Sequence, residues 1–240
     1  MKKKLMVFAG MLFFVSVSYA DWINDAKNES EKLLEPLAGD IGAVLGGGIY
    51  GPTKSCGLLG FDLGVRVATT KISDDNPVMT SGDSMGTYWI YASKGIPVLN
   101  VDVFARTMQI KMESSDDSIA LLGFGVEYNL IKDKLISALP GVSLIAAINT
   151  LSVTSIDART TTIGATVSKK LPFISPYVSV GRDTTEMSID TGIVTWKPEK
   201  SKTRLVAGIE LRPLPFVYAN LGVSKAGSET GVQLGVGIKN

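Results

Sequence analysis

The sequence contains no histidine and only one cysteine among its 240 residues. Without histidine the chain has no Ser-His-Asp triad, no imidazole base near neutral pH and no histidine metal ligand. Since Cys56 is alone, no disulfide can form within the chain. Carboxylate chemistry stays open, but these absences argue against catalysis. We therefore expect a protein that is not an enzyme and that binds no cofactor or metal.

Long apolar runs are confined to the first twenty residues. A basic start, "MKKK", precedes an apolar run over 5–17 and the small-x-small sequence Ser18-Tyr19-Ala20. This order is typical of a secretory signal peptide, so we predict cleavage after residue 20 and export. Cleavage removes three of the 24 basic residues and none of the 23 acidic ones, which leaves a slightly negative chain. Nothing in that balance indicates nucleic-acid binding.

No later run of apolar residues reaches the length of a membrane-spanning helix. One segment, 22–37, has the apolar spacing of an amphipathic helix, and we predict that Pro36 and Gly39 end it. The glycine-rich stretch 41–51 gives no clear secondary-structure signal. Residues 21–56 are thus interpreted as an N-terminal helix followed by a glycine-rich lead.

From Gly57 onward the apolar residues recur with a period of two. In "LGFDLGVRV", Leu59 to Val67, apolar residues alternate with glycine and an occasional charge. A solvent-facing sheet surface usually carries lysine, glutamate and threonine, whereas glycine suits a crowded, curved interior. The pattern predicts an apolar face toward lipid and a glycine-rich face toward a lumen. A soluble barrel with its apolar face inward is the rival interpretation.

Prolines and polar segments set the order of the predicted strands. The strands are predicted at 57–70, 86–94, 98–108, 120–130, 141–152, 157–168, 173–183, 203–212, 216–224 and 231–239. Four mostly short connections each contain a proline, at Pro97, Pro140, Pro172 and Pro215. The polar connections between them are mostly longer. Short periplasmic turns and long outer loops are typical of bacterial outer-membrane barrels. We therefore predict an all-β fold over 57–240, a ten-stranded antiparallel transmembrane β-barrel preceded by a short N-terminal amphipathic helix, which caps or enters the lumen at the periplasmic end.

The stretch "GAVLGGGIYGPTKSCGLLGFDLGVRV", 42–67, resembles the start of an uncharacterised family of bacterial outer-membrane β-barrel proteins with an N-terminal helix and a "GFDLGV"-like first strand. The resemblance implies a place in the bacterial outer membrane, with membrane lipid and the barrel-assembly machinery as partners. Such barrels often end in an aromatic residue. This chain ends Ile238-Lys239-Asn240, so recognition by that machinery is expected to rest on the preceding apolar alternation.

Charged residues on the glycine face are the candidate site. Four acids lie near the periplasmic ends of their strands: Asp62, Asp102, Glu127 and Glu210. Three arginines lie on the order of 10 Å further up: Arg66, Arg106 and Arg204. The sequence therefore predicts an acidic layer below a basic layer in the lumen. The two layers form either an internal network of ion pairs or a constriction that selects solutes.

Three functions remain open at this point. We favour a narrow channel for small polar solutes with a charged lumen. The first alternative is a closed structural or surface-display barrel with no transport role. The second is a carrier of apolar ligands, which the charges and glycines of the lumen face argue against. The aromatic residues near strand ends are interpreted as interfacial girdles, although those with lumen parity would instead fill the interior. They are Tyr88, Trp89, Tyr91, Tyr128, Phe173, Tyr177, Phe216 and Tyr218.

Overall fold

The computed structural model describes residues 31–53, 60–76, 78–79, 82–96, 99–111, 118–132, 139–153, 156–190 and 195–240. The signal peptide, the segment 21–30, Cys56, Leu59 and Pro97 lie outside the described residues. No helix in the described part of the chain is long and apolar enough to cross a membrane.

One helix precedes eleven strands along the described ranges. The helix, α1, spans Glu31–Leu45. The strands are β1 (Phe61–Lys71), β2 (Ser84–Ile96), β3 (Val101–Lys111), β4 (Ser118–Ile131), β5 (Gly141–Val153), β6 (Ile156–Ser168), β7 (Ile174–Asp190), β8 (Thr195–Trp196), β9 (Glu199–Leu214), β10 (Val217–Ala226) and β11 (Glu229–Lys239).

Ten of these strands close into an antiparallel barrel. Each pairs with its neighbours in the chain, β7 pairs with β9, and β1 closes the ring with β11. The two-residue β8 only adds a short pairing to the end of β7, where Ile189 lies opposite Trp196. The prediction of a ten-stranded barrel with a short N-terminal helix is confirmed.

The two ends of the barrel differ in their connections. At the end we call the proline end, the connections are 97–100, 132–140, 169–173 and 215–216, and the chain enters β1 and leaves β11. The loop end carries the connections 72–83, 112–117, 154–155, 191–198 and 227–228. One loop-end prediction is wrong, because 184–190 and 199–202 are not loop but extensions of β7 and β9. Residues 184–186 pair with 199–201, and 189–190 pair with β8. Their outward residues are polar, and this concealed the strand.

The outer wall carries a belt of exposed apolar side chains. Phe61, Val65, Leu205 and Val236 all point outward and are 37–60% exposed. On β4 the belt runs from Leu130 to Leu122, a height of about 20 Å for a strand that rises ~3.3 Å per residue and tilts by ~40°. This fits the apolar band of a membrane barrel. The rival arrangement, with the apolar face inward, is wrong.

Helix α1 lies inside the barrel, against β9, β7, β1 and β6. Leu34, Leu37 and Ala38 are fully buried. Glu35 pairs with Lys200 near the start of β9, so the first part of the helix lies toward the loop end. After α1 the chain descends toward the proline end, where the Thr53 hydroxyl hydrogen-bonds Ser168 at 2.8 Å.

The predicted end and position of this helix are therefore wrong, while its predicted start lies outside the described residues. The helix continues through Pro36 and Gly39 to Leu45, and it occupies the loop-end half of the lumen instead of the proline end. A proline inside a helix removes one hydrogen bond and costs ~3 kcal/mol. Burial of every residue from Leu37 to Leu45 offsets that cost, and local sequence signals cannot show this burial.

Candidate functional site

The polar contacts of α1 at the loop end centre on one buried carboxylate. Asp40 accepts hydrogen bonds from the Ser73 backbone N–H at 3.0 Å, from the Ser73 hydroxyl and from Asn76 Nδ2 at 2.7 Å. Lys202 Nζ lies 2.9 Å from Asp40 Oδ1 and 2.9 Å from Glu229 Oε2. One lysine on β9 thus joins the helix to the β10–β11 hairpin, while Asp40 binds the β1–β2 loop.

Glycines on one side of α1 permit its close approach to the wall. A Cβ on Gly42 would lie 1.9 Å from Thr185 Oγ1, and a Cβ on Gly46 would lie 2.7 Å from the Asp183 carboxyl group. Gly39 faces Lys202 at a similar distance. Three glycines at positions i, i+3 and i+7 therefore form the face on which the helix contacts β7 and β9.

Three arginines bind the carbonyl groups at the end of α1. Arg204 Nη2 donates to Ala43 O at 2.7 Å, and Arg106 donates to Gly47 O at 2.6 Å and to Leu45 O. Arg66 Nη1 donates to Gly48 O at 3.0 Å and to Ile49 O at 3.2 Å. The last carbonyls of a helix have no partner within the helix and carry partial negative charge. We call Arg66, Arg106 and Arg204 the arginine clasp.

The backbone turns away from the helix within this clasp. Gly46 and Gly47 donate to Gly42 O and Val44 O at 2.8 and 3.0 Å. Gly48 has a positive φ of 70°, a left-handed conformation in which glycine carries no Cβ penalty. The glycine run that gave no sequence signal is thus the C-terminal end of a buried helix.

Each clasp arginine has a second contact on the barrel wall. Arg204 Nη2 lies 2.6 Å from Asp183 Oδ2, and Arg66 Nη2 lies 3.5 Å from Asp62 Oδ2. Arg106 donates to Asn149 Oδ1 at 2.8 Å and lies over the Trp89 ring, with Cζ 4.0 Å from its centroid. The guanidinium groups therefore link the wall to the end of α1.

The four predicted acids lie closer to the proline end, and all are buried. Asp62 accepts from Tyr218 OH at 2.8 Å, and Asp102 accepts from Asn129 Nδ2 at 2.7 Å. Glu127 is the cross-strand partner of Asp102. Glu210 pairs with Arg212 at 2.9 Å and with Lys239.

All seven candidate residues thus lie within the barrel interior, acids toward the proline end and arginines above them. The arginines do not surround an open passage at their own level. Their donors contact α1 and the residues directly after it, so the lumen there is occupied by the chain itself.

Tyrosines of the interior lie over pairs of wall glycines. An added Cβ at Gly181 or Gly164 would lie 1.8 or 2.4 Å from Tyr50 OH. Two further sets have the same arrangement: Tyr177 over Gly208 and Gly222, and Tyr218 over Gly64 and Gly237. Trp89, Tyr177 and Tyr218 are therefore not girdle residues, because all three are almost fully buried and fill the lumen, the alternative that their parity left open. Tyr128, Phe173 and Phe216 are 44–74% exposed, as girdle residues would be.

Sequence reasoning missed the polar partners of α1. Asp40 lay between the end of the predicted helix and the glycine-rich stretch 41–51, and Lys202 lay in a predicted loop. Asp183 was the last residue of the predicted strand 173–183, which in the structure continues to Asp190. A signal was present for Lys202, because Lys200, Lys202 and Arg204 alternate in step with the inward residues of β9.

Comparison with known proteins finds similar chains among solved structures. No protein-family description and no curated protein matches the chain. Among solved structures, the chain is similar to the N-terminal β-barrel domain of Pseudomonas aeruginosa OprF, with 13% identity, 74% of this chain and 97% of that one covered, and a TM-score of 0.38.

Two further similar structures are the Yersinia pestis attachment invasion locus protein Ail, in complex with the heparin analogue sucrose octasulfate, and Neisserial surface protein A. Each is 13% identical to this chain, and each comparison covers 75% of this chain. It covers 98% of Ail, with a TM-score of 0.35, and 95% of Neisserial surface protein A, with a TM-score of 0.33. At this level of likeness we draw no functional conclusion from them.

Proposed function

We propose that this protein is a bacterial outer-membrane barrel closed by its own N-terminal helix, with a structural or surface-display role. The loop end faces the cell exterior and the proline end faces the periplasm. The apolar belt supports the membrane location. The orientation is supported by two features of the loop end, which has the longest connection, 72–83, and the extension of β7 and β9 past the apolar belt.

The observation that carries the proposal is the binding of α1 inside the lumen. The helix is held by apolar burial, by Asp40 and Lys202 at the loop end, and by the arginine clasp at its C-terminal end. A selective constriction needs charges that face permeating solute. Here the clasp guanidinium groups face backbone carbonyls, so they serve to hold the helix.

Ion conductance in a planar bilayer tests this function. The full-length mature protein is expected to give no steady conductance, and a variant lacking 31–50 is expected to conduct. Different migration of boiled and unboiled samples in detergent gels checks that both barrels are folded. Steady conductance from the intact protein would contradict the proposal.

A second candidate function is a gated channel for small polar solutes, in which α1 moves. It is favoured by the polar interior near the proline end, where Asn129 Oδ1, Ser143 Oγ and Ser175 Oγ are buried without a partner among the described residues. Polar lining of this kind suits hydrated solute once the helix is displaced.

A tether between α1 and the wall distinguishes the two functions. A Cβ on Gly48 would lie 3.8 Å from Ala68 Cβ, a normal separation for a disulfide. The variant Gly48→Cys/Ala68→Cys, with Cys56→Ser, is expected to be silent when oxidised and when reduced if the barrel is permanently closed. Conductance that appears only on reduction would favour the gated channel. Gly48→Cys alone is the control for strain at its positive φ.

An apolar-ligand carrier is disfavoured for a different reason from the one the sequence suggested. Part of the loop-end half of the interior is in fact apolar, with Trp89, Met108 and Met187 in one cluster. That cluster packs on Leu34 and Leu37 of α1, so the helix occupies the space that a ligand would need.

Export through a cleaved signal peptide and insertion by the barrel-assembly machinery complete the proposal. N-terminal sequencing of protein purified from membranes is expected to begin at Asp21. Depletion of the assembly machinery is expected to leave the chain in a form that migrates identically with and without boiling.

A further inference from the structure

A groove runs along the outer wall over β9, β10, β11 and β1, at the loop-end edge of the apolar belt. Its volume is about 620 Å³. The apolar lining comes from Val178, Leu205, Ala207, Val223 and Val232. Small side chains keep it open, because Ala207, Val223, Val232 and Thr69 are successive cross-strand partners in one row.

Two lysines stand at the loop-end edge of this groove. Lys225 is the cross-strand partner of Thr230. Thr70 is the partner of Gly231, so the next residues toward the loop end, Lys71 and Thr230, lie side by side. The two lysines therefore flank one threonine, with their backbones two strand spacings, about 10 Å, apart.

Both lysines are exposed on the outer face. No ion pair joins either of them to another described residue. The nearby carboxylate of Glu229 is bound to Lys202 and Ser228. Asp83 lies next to Ser84, the partner of Lys71, and its backbone carbonyl accepts from the Ile72 N–H at 2.8 Å.

Outward cations at the edge of an apolar surface match an amphiphile with an anionic head. Lysine stems extend along the apolar surface while the ammonium groups reach the head-group level, where each contributes electrostatic attraction to anionic lipid. The Thr230 side chain adds a hydroxyl donor between them. The apolar groove below accommodates acyl chain.

We propose that Lys71, Lys225 and Thr230 form a binding site for a phosphate group of lipid A, whose acyl chain lies in the groove below. The choice of lipid A rests on the orientation given under the proposed function, since the loop end then lies in the outer leaflet, where phosphorylated glycolipid is the anionic lipid. The site itself requires no particular state of the lumen.

Native mass spectrometry of the detergent-solubilised full-length protein with added lipid A tests the site. Loss of one lysine is expected to weaken binding about fivefold, and Lys71→Ala/Lys225→Ala about 25-fold, at the contribution of one near-surface lysine each. Ala207→Phe fills the groove without changing charge and is expected to weaken binding as well.

The matched control is Lys94→Ala, which removes an outward lysine at the proline end, opposite Phe61. It is expected to bind lipid A like the unmodified protein. Dephosphorylated lipid A is expected to bind the unmodified protein as weakly as intact lipid A binds the double variant.

Three results would overturn the proposal: undiminished lipid A binding by the folded double variant, an equal loss in Lys94→Ala, or equally tight binding of phosphatidylglycerol with the same lysine dependence. Boiled and unboiled migration establishes folding for each variant. Conductance is measured on the same samples, so a conducting protein that still binds lipid A through these lysines would refute the proposed function and leave the site standing.

Discussion

Replacing Arg106 by alanine is expected to release α1 from the lumen while the ring of ten strands stays intact. Arg106 is 1% exposed and donates to Leu45 O, Gly47 O and Asn149 Oδ1. Hydrogen bonds from a charged group contribute ~1.5–3 kcal/mol each, and the buried acceptors would lose their partner. Part of this is offset because the desolvated guanidinium itself is removed.

We expect a net loss of about 3–5 kcal/mol in the free energy that holds α1 in place. A loss of about 3 kcal/mol raises the undocked population roughly 150-fold. Hydrogen–deuterium exchange of the backbone amides in 37–48, in detergent, measures this population. Arg106→Lys keeps the charge but cannot reach three acceptors at once, so exchange should be intermediate.

Arg159→Ala is the matched control, since Arg159 lies on β6 with its side chain exposed on the outer face. Its exchange should equal that of the unmodified protein. Unchanged protection of 37–48 in Arg106→Ala would refute the reasoning. Loss of protection in α1 and in the strands together would also refute it, because Arg106 would then stabilise the wall and not the docked helix.

Three further variants test the packing of the helix and the position of the belt. Gly42→Ala is expected to lower the stability of the protein by about 1–3 kcal/mol in thermal unfolding, because the added Cβ overpacks against Thr185. Adding Thr185→Gly in the same chain is expected to recover most of this loss. A neutral Gly42→Ala would contradict the close contact. Lys202→Met leaves the buried Asp40 and the partly buried Glu229 without their shared cation and is expected to cost about 3–5 kcal/mol, with exchange rising first in 35–41. Equal exchange along all of α1 would argue against a local role. Val65→Arg is expected to destabilise the barrel by about 2–4 kcal/mol in urea unfolding from lipid vesicles, with Val65→Ile as its control. An unchanged stability in Val65→Arg would mean that Val65 does not face lipid.

The barrel wall was predictable because one rule governs every strand. Lipid outside and a crowded lumen inside impose alternation, and Phe61, Val65 and Val236 obey it without any knowledge of their neighbours. The rule fails beyond the membrane. There the outer face of β7 and β9 no longer meets lipid, so the polar residues Thr184 and Glu186 on that face looked like loop residues. The inner face still faces the lumen, where Thr185 and Met187 are buried.

The interior was less predictable because its contacts join residues far apart in sequence. Arg106 and Leu45 are 61 residues apart, and Arg204 and Ala43 are 161 apart. Alternation places an arginine inside the barrel, but it cannot say what the arginine binds. The choice between an ion-pair network and a selective constriction missed the third possibility, which is a helix terminus that supplies the acceptors.

The size of the barrel explains why the helix needs its glycines. Ten strands about 4.8 Å apart and tilted by ~40° give a circumference of about 63 Å and a diameter near 20 Å between opposite backbones. A helix with side chains is ~10–12 Å wide, which leaves about 4–5 Å on each side if it is central.

That gap is too narrow for long side chains on both the helix and the wall. The helix therefore does not lie on the barrel axis. Gly39, Gly42 and Gly46 allow it to lie directly against β7 and β9, which leaves a wider gap on its other side. Apolar residues of intermediate size, such as Leu34 and Leu37, pack with the cluster that includes Trp89 and Met108. A glycine stripe upstream of a ten-stranded barrel pattern is therefore a signal for an internal helix, and the stretch from Gly39 to Gly48 contains it.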